Sequence, residues 1–267
     1  MTPRLLIISL NFRTPEMTMR SVRAALRESE GLTAEIVIVD NDSGDGSYEA
    51  MQAALAEDWA KDAPIRLIQS GRNGGFGAGN NVGIRAGWSD GGRPDYVFIL
   101  NSDAFPDPGS IRALLNHLEA NPTTGFAGSY IHGEDREPHV TAFRFPNVWS
   151  EFEGAARFGP FSRMLRDKAV PIGIPQNSER VDWLAGASMM MRQSVLDEIG
   201  LFDETFFLYF EETDLCLRAN RAGYEVHYIR ESEVTHIGSV STGMKKWTRT
   251  PSFWFDSRWH YFTKNHG

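Results

Sequence analysis

The strongest constraint on this chain is an alternation that runs through its first half. Short, unbroken apolar runs take turns with segments of helical period. Residues 5–10, 35–40, 65–68 and 96–100 read as strands, and residues 18–27, 48–59 and 76–87 read as helices between them. A strand that is apolar at every position has to be covered on both faces. Strands joined through helices run parallel. The expected fold is therefore α/β, a Rossmann-like, mostly parallel sheet flanked by helices.

The second half is less regular. Residues 133–180 are rich in Pro, Gly, Phe and Arg, with weak periodicity, and read as an irregular but aromatic excursion. Order returns with a strand at 189–192 and helices at 194–200 and 213–222, followed by two short strand-like pieces within 225–236. The 267 residues, 41% of them hydrophobic, are enough to build a core of their own. The net charge of −8 disfavours sequence-independent nucleic-acid binding, which runs on cationic surface. A single cysteine, Cys216, excludes an internal disulfide and suits a reducing compartment. No apolar run approaches the roughly 20 residues of a membrane span, and residues 5–10 lack a signal-peptide cleavage pattern. A chain that is soluble, or peripheral at most, is expected.

In a doubly wound sheet, ligands bind beyond the carboxyl ends of the strands. Those ends are polar here: Asn11, Asp40-Asn41-Asp42, Gly71-Arg72-Asn73 and Asn101-Ser102-Asp103. The stretch Asn73-Gly74-Gly75-Phe76-Gly77-Ala78-Gly79-Asn80 joins a strand to a helix, where glycines let backbone N–H groups approach an anion. These glycines follow the third strand rather than the first, which argues against a nicotinamide dehydrogenase. Asn101-Ser102-Asp103 reads either as a strand-to-helix turn or as oxygen ligands for a divalent metal.

Glu211-Glu212 follows Phe206-Phe207-Leu208-Tyr209-Phe210. Acidic residues at a helix start are ordinary, yet a carboxylate against apolar walls has a raised pKa and can act as a general base. Asp214 and Arg218 stand four apart and are placed to pair. His236 precedes a flexible Gly/Ser/Thr loop. Lys245, Lys246 and Arg249 lie among Trp247, Phe253, Trp254 and Phe255. That cluster reads equally as a surface for phosphate or anionic membrane and as a solvated charge run over packed aromatics.

The ordered motifs resemble those of a family 2 inverting glycosyltransferase of the GT-A fold, in the rhamnosyltransferase-like branch. They are Ile-Ile-Ser-Leu-Asn-Phe, Val-Asp-Asn-Asp-Ser-Gly, Asn-Gly-Gly-Phe-Gly-Ala-Gly-Asn-Asn, Leu-Asn-Ser-Asp, Val-Asp-Trp-Leu-Ala-Gly-Ala, and Phe-Glu-Glu-Thr-Asp followed by Thr-His-Ile-Gly. They span residues 5–243. The resemblance implies a GT-A domain over 1–243, with a nucleotide-binding half (1–130) and a less regular acceptor and catalytic half (131–243), then an aromatic and basic segment at 244–267. It implies transfer of a sugar, rhamnose first and glucose or galactose as rivals, from a dTDP or UDP donor. The acceptor would be a hydroxyl of a surface polysaccharide or lipid-linked glycan precursor at the cytoplasmic membrane face. A non-catalytic nucleotide-sugar or glycan-binding module is the rival of another class.

By the same resemblance, Asn11, Arg13, Asp40, Asn73, Gly75, Asn80, Asn101 and Ser102 shape the nucleotide pocket. Trp183, Gly186 and Ala187 border the sugar and acceptor, and Asp103 and His236 hold Mn²⁺ or Mg²⁺. Glu211 and Glu212 supply the base, with Glu212 favoured. Two departures stand out: Asn101 replaces the first carboxylate of the metal motif, and the acidic pair is Glu-Glu rather than Glu-Asp.

Overall fold

The computed structural model describes residues 2–147, 150, 170–238 and 248–267. Lys245, Lys246 and Trp247, the loop 239–243 and much of the 133–180 excursion lie outside them.

The central sheet is built as expected from β1 (Arg4–Asn11), β2 (Thr33–Asp40), β3 (Ile65–Gln69) and β4 (Tyr96–Asn101). β1 pairs in parallel with β2 on one side and β4 on the other, so the chain reverses its direction of growth at β1. That reversal opens a crevice at the carboxyl edge. Asn11 is opposite Asp40 and Leu10 opposite Asn101, so the polar strand ends emerge level.

Side chains alternate across the sheet. Leu5, Ile7, Ile36 and Phe98 join one core, and Leu6, Ile8, Val37 and Val97 the other. The first is covered by α1 (Pro15–Glu28), α2 (Ser47–Leu55) and α4 (Ser110–Ala120), through Val22, Met51 and Leu114. The second is covered by α3 (Gly75–Ala86) and α6 (Glu211–Arg221), through Ile84, Leu215 and Cys216. Each fully buried Leu or Ile contributes about 1.5–3 kcal/mol. Burial pushes the Cys216 thiol up to about 12, so this cysteine is a packing residue.

The second half completes the same sheet. β11 (Ser188–Arg192) inserts antiparallel between β4 and β6 (Thr124–His132), and β12 (Glu225–His236) runs parallel to β6. β12 is one strand, not the two expected pieces. Its register against β6 shifts between Ile229 and Glu233, a bulge that breaks the alternation and mimics a strand end in the sequence. Beyond the bulge it pairs with β5 (Ala104–Pro106), while β9 (Glu179–Val181) pairs with its first part. Within the excursion, β7 (Ala142–Phe143) lies between β8 (Pro171–Gly173) and β10 (Trp183–Leu184) in a small second sheet. The expected helix at 48–59 ends at Leu55, and Trp59 instead packs under Arg23 at 4.2 Å.

After α5 (Gln193–Ile199) and α6, the described chain ends in α7 (Ser252–His266). Lys264 and Asn265 of α7 reach Asp214 of α6 at 2.9 and 3.1 Å, and Arg218 pairs with the same carboxylate at 2.9 Å. Among the described residues no helix is long and apolar enough to cross a membrane.

Candidate active site

A cavity of about 760 Å³ opens at the carboxyl edge of the sheet. Polar groups on its wall include Asn41, Asn73, Asn101, Ser102, Asp103, His139 and His236; much of the remainder is aromatic, with Phe76, Phe143, Trp183, Tyr209 and Trp254.

The β12 bulge builds the polar end. Beyond it β12 continues against β6 in a new register, with Glu233 opposite Tyr130, and this sets His236 opposite Ala104, beside the turn that carries Asp103. His236 Nε2 stands 3.0 Å from Asp103 Oδ1 and 3.5 Å from Asn101 Nδ2, and the Ile237 N–H donates to the Asp103 carbonyl at 3.1 Å. His139 meets the His236 ring edge-on at 6.2 Å. A buried carboxylate and an imidazole nitrogen so aimed form a donor pair that suits a divalent cation. A second group of ligand type, Asp107, His132 and Glu233, already holds a cation. Arg136 Nη1 lies 3.0 Å from Asp107 Oδ2, 2.8 Å from His132 Nε2 and 3.4 Å from Glu233 Oε2.

Glu211 and Glu212 open α6 behind a strained turn. Tyr209 and Phe210 both have φ of 71°, a left-handed conformation that costs a bulky residue of order 1–3 kcal/mol. Packing holds them there: Phe210 lies against Tyr261 at 5.5 Å, and Tyr209 stacks on Phe253 at 6.5 Å. Gly75, at φ of 88°, is pressed against the same turn, with the Phe76 N–H donating to the Phe207 carbonyl at 3.0 Å. The Gly186 N–H donates to Glu212 Oε1 at 3.1 Å. A side chain at Gly186 would stand 2.8 Å from that oxygen and 2.9 Å from the Phe76 ring.

The two carboxyls differ in surroundings. Glu211 is 1% exposed, and its Oε2 has no hydrogen-bond partner among the described residues. Burial, and then the charge of Glu212, pushes it well above the usual carboxylate range. Burial also raises Glu212, but its own N–H and that of Gly186 favour its ionised form. The Tyr209 phenol is pushed up to about 12 by burial and by both glutamates.

Because the folded value for Glu211 lies above the unfolded one, its contribution is full below the unfolded value and lost as pH rises through the folded one. Glu211→Gln is expected to flatten the fall of denaturation midpoint between mildly acidic and alkaline pH. An unchanged slope would show that this carboxyl does not titrate with folding.

Of the residues singled out in the sequence, Asn73, Gly75, Asn101, Ser102, Asp103, Trp183, Gly186, Ala187, Glu211, Glu212 and His236 line this one cavity. Four others are not part of its lining: Asn11, Asp40 and Asn80 are buried, and Arg13 is exposed. Asn11 donates to Asp40 Oδ1 at 2.7 Å, and the Thr18 hydroxyl donates to Asn11 Oδ1 at 2.8 Å. Arg13 Nε donates to the Ser43 carbonyl at 2.9 Å, and Asn80 Nδ2 to the Phe76 carbonyl at 3.0 Å. The first three tie together the segments at the ends of β1 and β2, and the last lies within α3.

Asn41 went unassigned in the sequence although it lies within the strand-end motif. Its Nδ2 donates to Asn73 Oδ1 at 3.0 Å and to the Gly75 carbonyl at 3.2 Å, tying the second strand end to the glycine turn. Phe12, His139, Phe143, Phe207 and Phe253 also line the cavity without having been picked out as site residues. They carry no motif chemistry of their own.

The model for "Glycosyl transferase family 2" matches residues 7–200, well over half of the chain. The chain belongs to this family. This glycosyltransferase is 31% identical over 255 residues to the N-acetylglucosaminyl-diphospho-decaprenol L-rhamnosyltransferase of Mycobacterium tuberculosis, covering 91% of this chain and 79% of that one. It is 28% identical over 165 residues to rhamnosyltransferase WbbL of Escherichia coli K12, covering 61% and 60%.

Among solved structures, GalNAc-T7 with UDP, GalNAc and Mn²⁺ superposes with a TM-score of 0.65 at 15% identity, covering 88% of this chain and 44% of that one. The mannosyltransferase PcManGT of Pyrobaculum calidifontis, in complex with GDP-Man and Mn²⁺, gives 0.60 at 13%, covering 100% and 71%. The GT-A fold implied by the sequence motifs is the fold found.

Proposed function

We propose that this glycosyltransferase moves L-rhamnose, with inversion, from a dTDP or UDP donor to a hydroxyl of a lipid-linked or surface glycan precursor. The observation that carries it is the placement of Asp103–His236 and Glu211–Glu212 on the wall of one cavity at the sheet's switch point. The rhamnosyl donor and lipid-linked acceptor are supported by what the Mycobacterium and E. coli relatives are named for.

Glu212, held by the Gly186 N–H, takes the proton of the acceptor hydroxyl. The freed oxygen attacks the anomeric carbon as the bond from that carbon to the diphosphate oxygen breaks, and the diphosphate leaves with the bonding electron pair. Glu211 stays protonated beside it and so adds no second charge. Asp103 and His236 would hold a divalent metal, which when bound supplies charge to offset that of the departing diphosphate. The imidazole favours Mn²⁺ over Mg²⁺, which prefers oxygen ligands. Asn101, a neutral amide beside this pair, leaves Asp103 as the one carboxylate of the Asn101-Ser102-Asp103 turn for the cation.

The test is thermal stability against dTDP, UDP and their sugars, with Mn²⁺ or with chelator. Near a hundred-fold excess over Kd, about 2.7 kcal/mol of stabilisation is expected, roughly 5–10 °C in a domain of this size. Asp103→Asn is expected to remove the metal-dependent part of the shift. A shift confined to uridine compounds would keep the enzyme and change the sugar from rhamnose. A shift indifferent to chelator would overturn Asp103 and His236 as metal ligands.

A further inference from the structure

Four large hydrophobic side chains are exposed among the described residues: Val140 (43%), Phe207 (40%), Phe255 (54%) and Trp259 (73%). Such residues scattered singly are ordinary. These are not scattered. Val140 and Phe207 line the cavity. The Phe207 ring lies 5.5 Å from Phe253 of α7, and the Phe255 ring 5.1 Å from Trp254, both of which also line the cavity. Trp259 follows Phe255 by one helical turn.

The inner face of α7 is already occupied. Tyr261 is buried against Phe210, the Ser257 hydroxyl donates to the Leu208 carbonyl at 3.0 Å, and His260 and Lys264 meet Asp203 at 2.9 and 2.8 Å. Burial works against ionisation of Asp203, but these His260 and Lys264 bonds hold its carboxyl below the usual range. The helix is thus anchored without help from Phe255 and Trp259. A helix apolar on a second face has that face covered by something else.

Charge identifies the cover. Apart from Lys264, which is spent on Asp203 and Asp214, residues 244–267 carry Lys245, Lys246, Arg249 and Arg258 against Asp256 alone, in a chain of net charge −8. They also hold three of its seven tryptophans, Trp247, Trp254 and Trp259. Tryptophan with lysine and arginine is the composition of a bilayer interface, and an anionic surface would attract this segment while repelling the acidic remainder.

We propose that α7 and the cavity rim dock on an anionic lipid bilayer, with Phe255 and Trp259 at headgroup depth. The cavity mouth then faces the membrane plane. This deepens the lipid-linked acceptor reading and rests on it for its purpose, since an anchored acceptor would reach the site without leaving the bilayer.

The experiment is co-sedimentation of the full chain with vesicles of phosphatidylcholine and of phosphatidylcholine with phosphatidylglycerol. The wild type is expected to sediment with the anionic vesicles, less so at high salt. The double variant Phe255→Ser, Trp259→Ser is expected to bind at least about tenfold more weakly. Its melting temperature, and its transfer to a water-soluble acceptor analogue, should stay unchanged. A wild type left in the supernatant with both vesicles overturns the proposal, as does a double variant that sediments equally well. Dimerisation without vesicles that is lost in the double variant also overturns it, by making a second copy the cover. Vesicle binding by an enzyme that serves only soluble acceptors supports docking and overturns the acceptor reading.

Discussion

Glu212→Gln is expected to lower kcat by about 10²- to 10⁴-fold, the usual worth of a general base, with little change in donor affinity. The carboxamide oxygen of glutamine can still accept the Gly186 N–H that Glu212 Oε1 accepts at 3.1 Å, so the turn keeps its shape. What is lost is the ability to take a proton. In the mechanism proposed above, donor binding depends on the polar end of the cavity, around Asn101, Asp103 and His236.

The pH profile gives a second readout. Burial raises the Glu212 carboxyl, so the wild-type rate should fall on acidification at a pH above that typical of an exposed glutamate. Glu211→Gln keeps a neutral group of similar shape beside Glu212 and should leave most of the rate. Steady-state kinetics of both variants decide the assignment. Activity of Glu212→Gln within tenfold of wild type, with Glu211→Gln inactive, would transfer the base to Glu211. Loss of donor binding in Glu212→Gln would remove the basis for calling it a base at all.

Gly75→Ala is expected to cost about 2–5 kcal/mol. Part is conformational: at φ of 88°, an alanine pays roughly 1–2 kcal/mol for the left-handed region. Part is steric. The added carbon would lie 1.8 Å from the Phe207 carbonyl oxygen, which is backbone and has little freedom to yield. Overpacking of this kind typically costs 1–3 kcal/mol. That is a large share of a stability near 5–15 kcal/mol.

Gly71 is the control. Its φ is also positive, 76°, but a side chain there would meet nothing within 4 Å, so Gly71→Ala should cost only the conformational part. Urea midpoints of the two variants measure the difference, and equal losses would contradict the clash. The clash also has a kinetic consequence. Phe207 belongs to the turn that sets Glu211 and Glu212, so any Gly75→Ala protein that folds should lose kcat as well.

The first half of the fold was legible because the middles of β1, β2 and β4 are buried on both sides and are therefore apolar in unbroken runs. Helices between such strands leave a parallel sheet as the arrangement that covers both faces. The same logic marked the carboxyl edge, and the motifs along it named most of the cavity's polar residues. β6 was not legible. Thr-Gly-Phe-Ala-Gly-Ser-Tyr-Ile-His carries two glycines, a serine and a histidine, yet every residue of the strand is buried between β11 and β12. Strand formation there comes from neighbours far along the chain, not from local propensity.

The same holds for the site. Sequence order says that Asp103 and His236 each follow a strand-like run, but the bulge in β12 is what brings them within 3.0 Å. Nothing local marks Tyr209 and Phe210 as left-handed; the packing of α7 and of the glycine turn holds them so. The exposed stripe on α7 is invisible in its composition, because Phe255 and Trp259 differ from Phe253 and Trp254 only in which way the docked helix turns them. Periodicity and motif order thus determined the fold class and the chemistry available. Tertiary contact decided which carboxyl is pushed furthest up, which polar side chains meet and which aromatics face solvent, because burial, charge proximity and strain depend on residues distant in the chain.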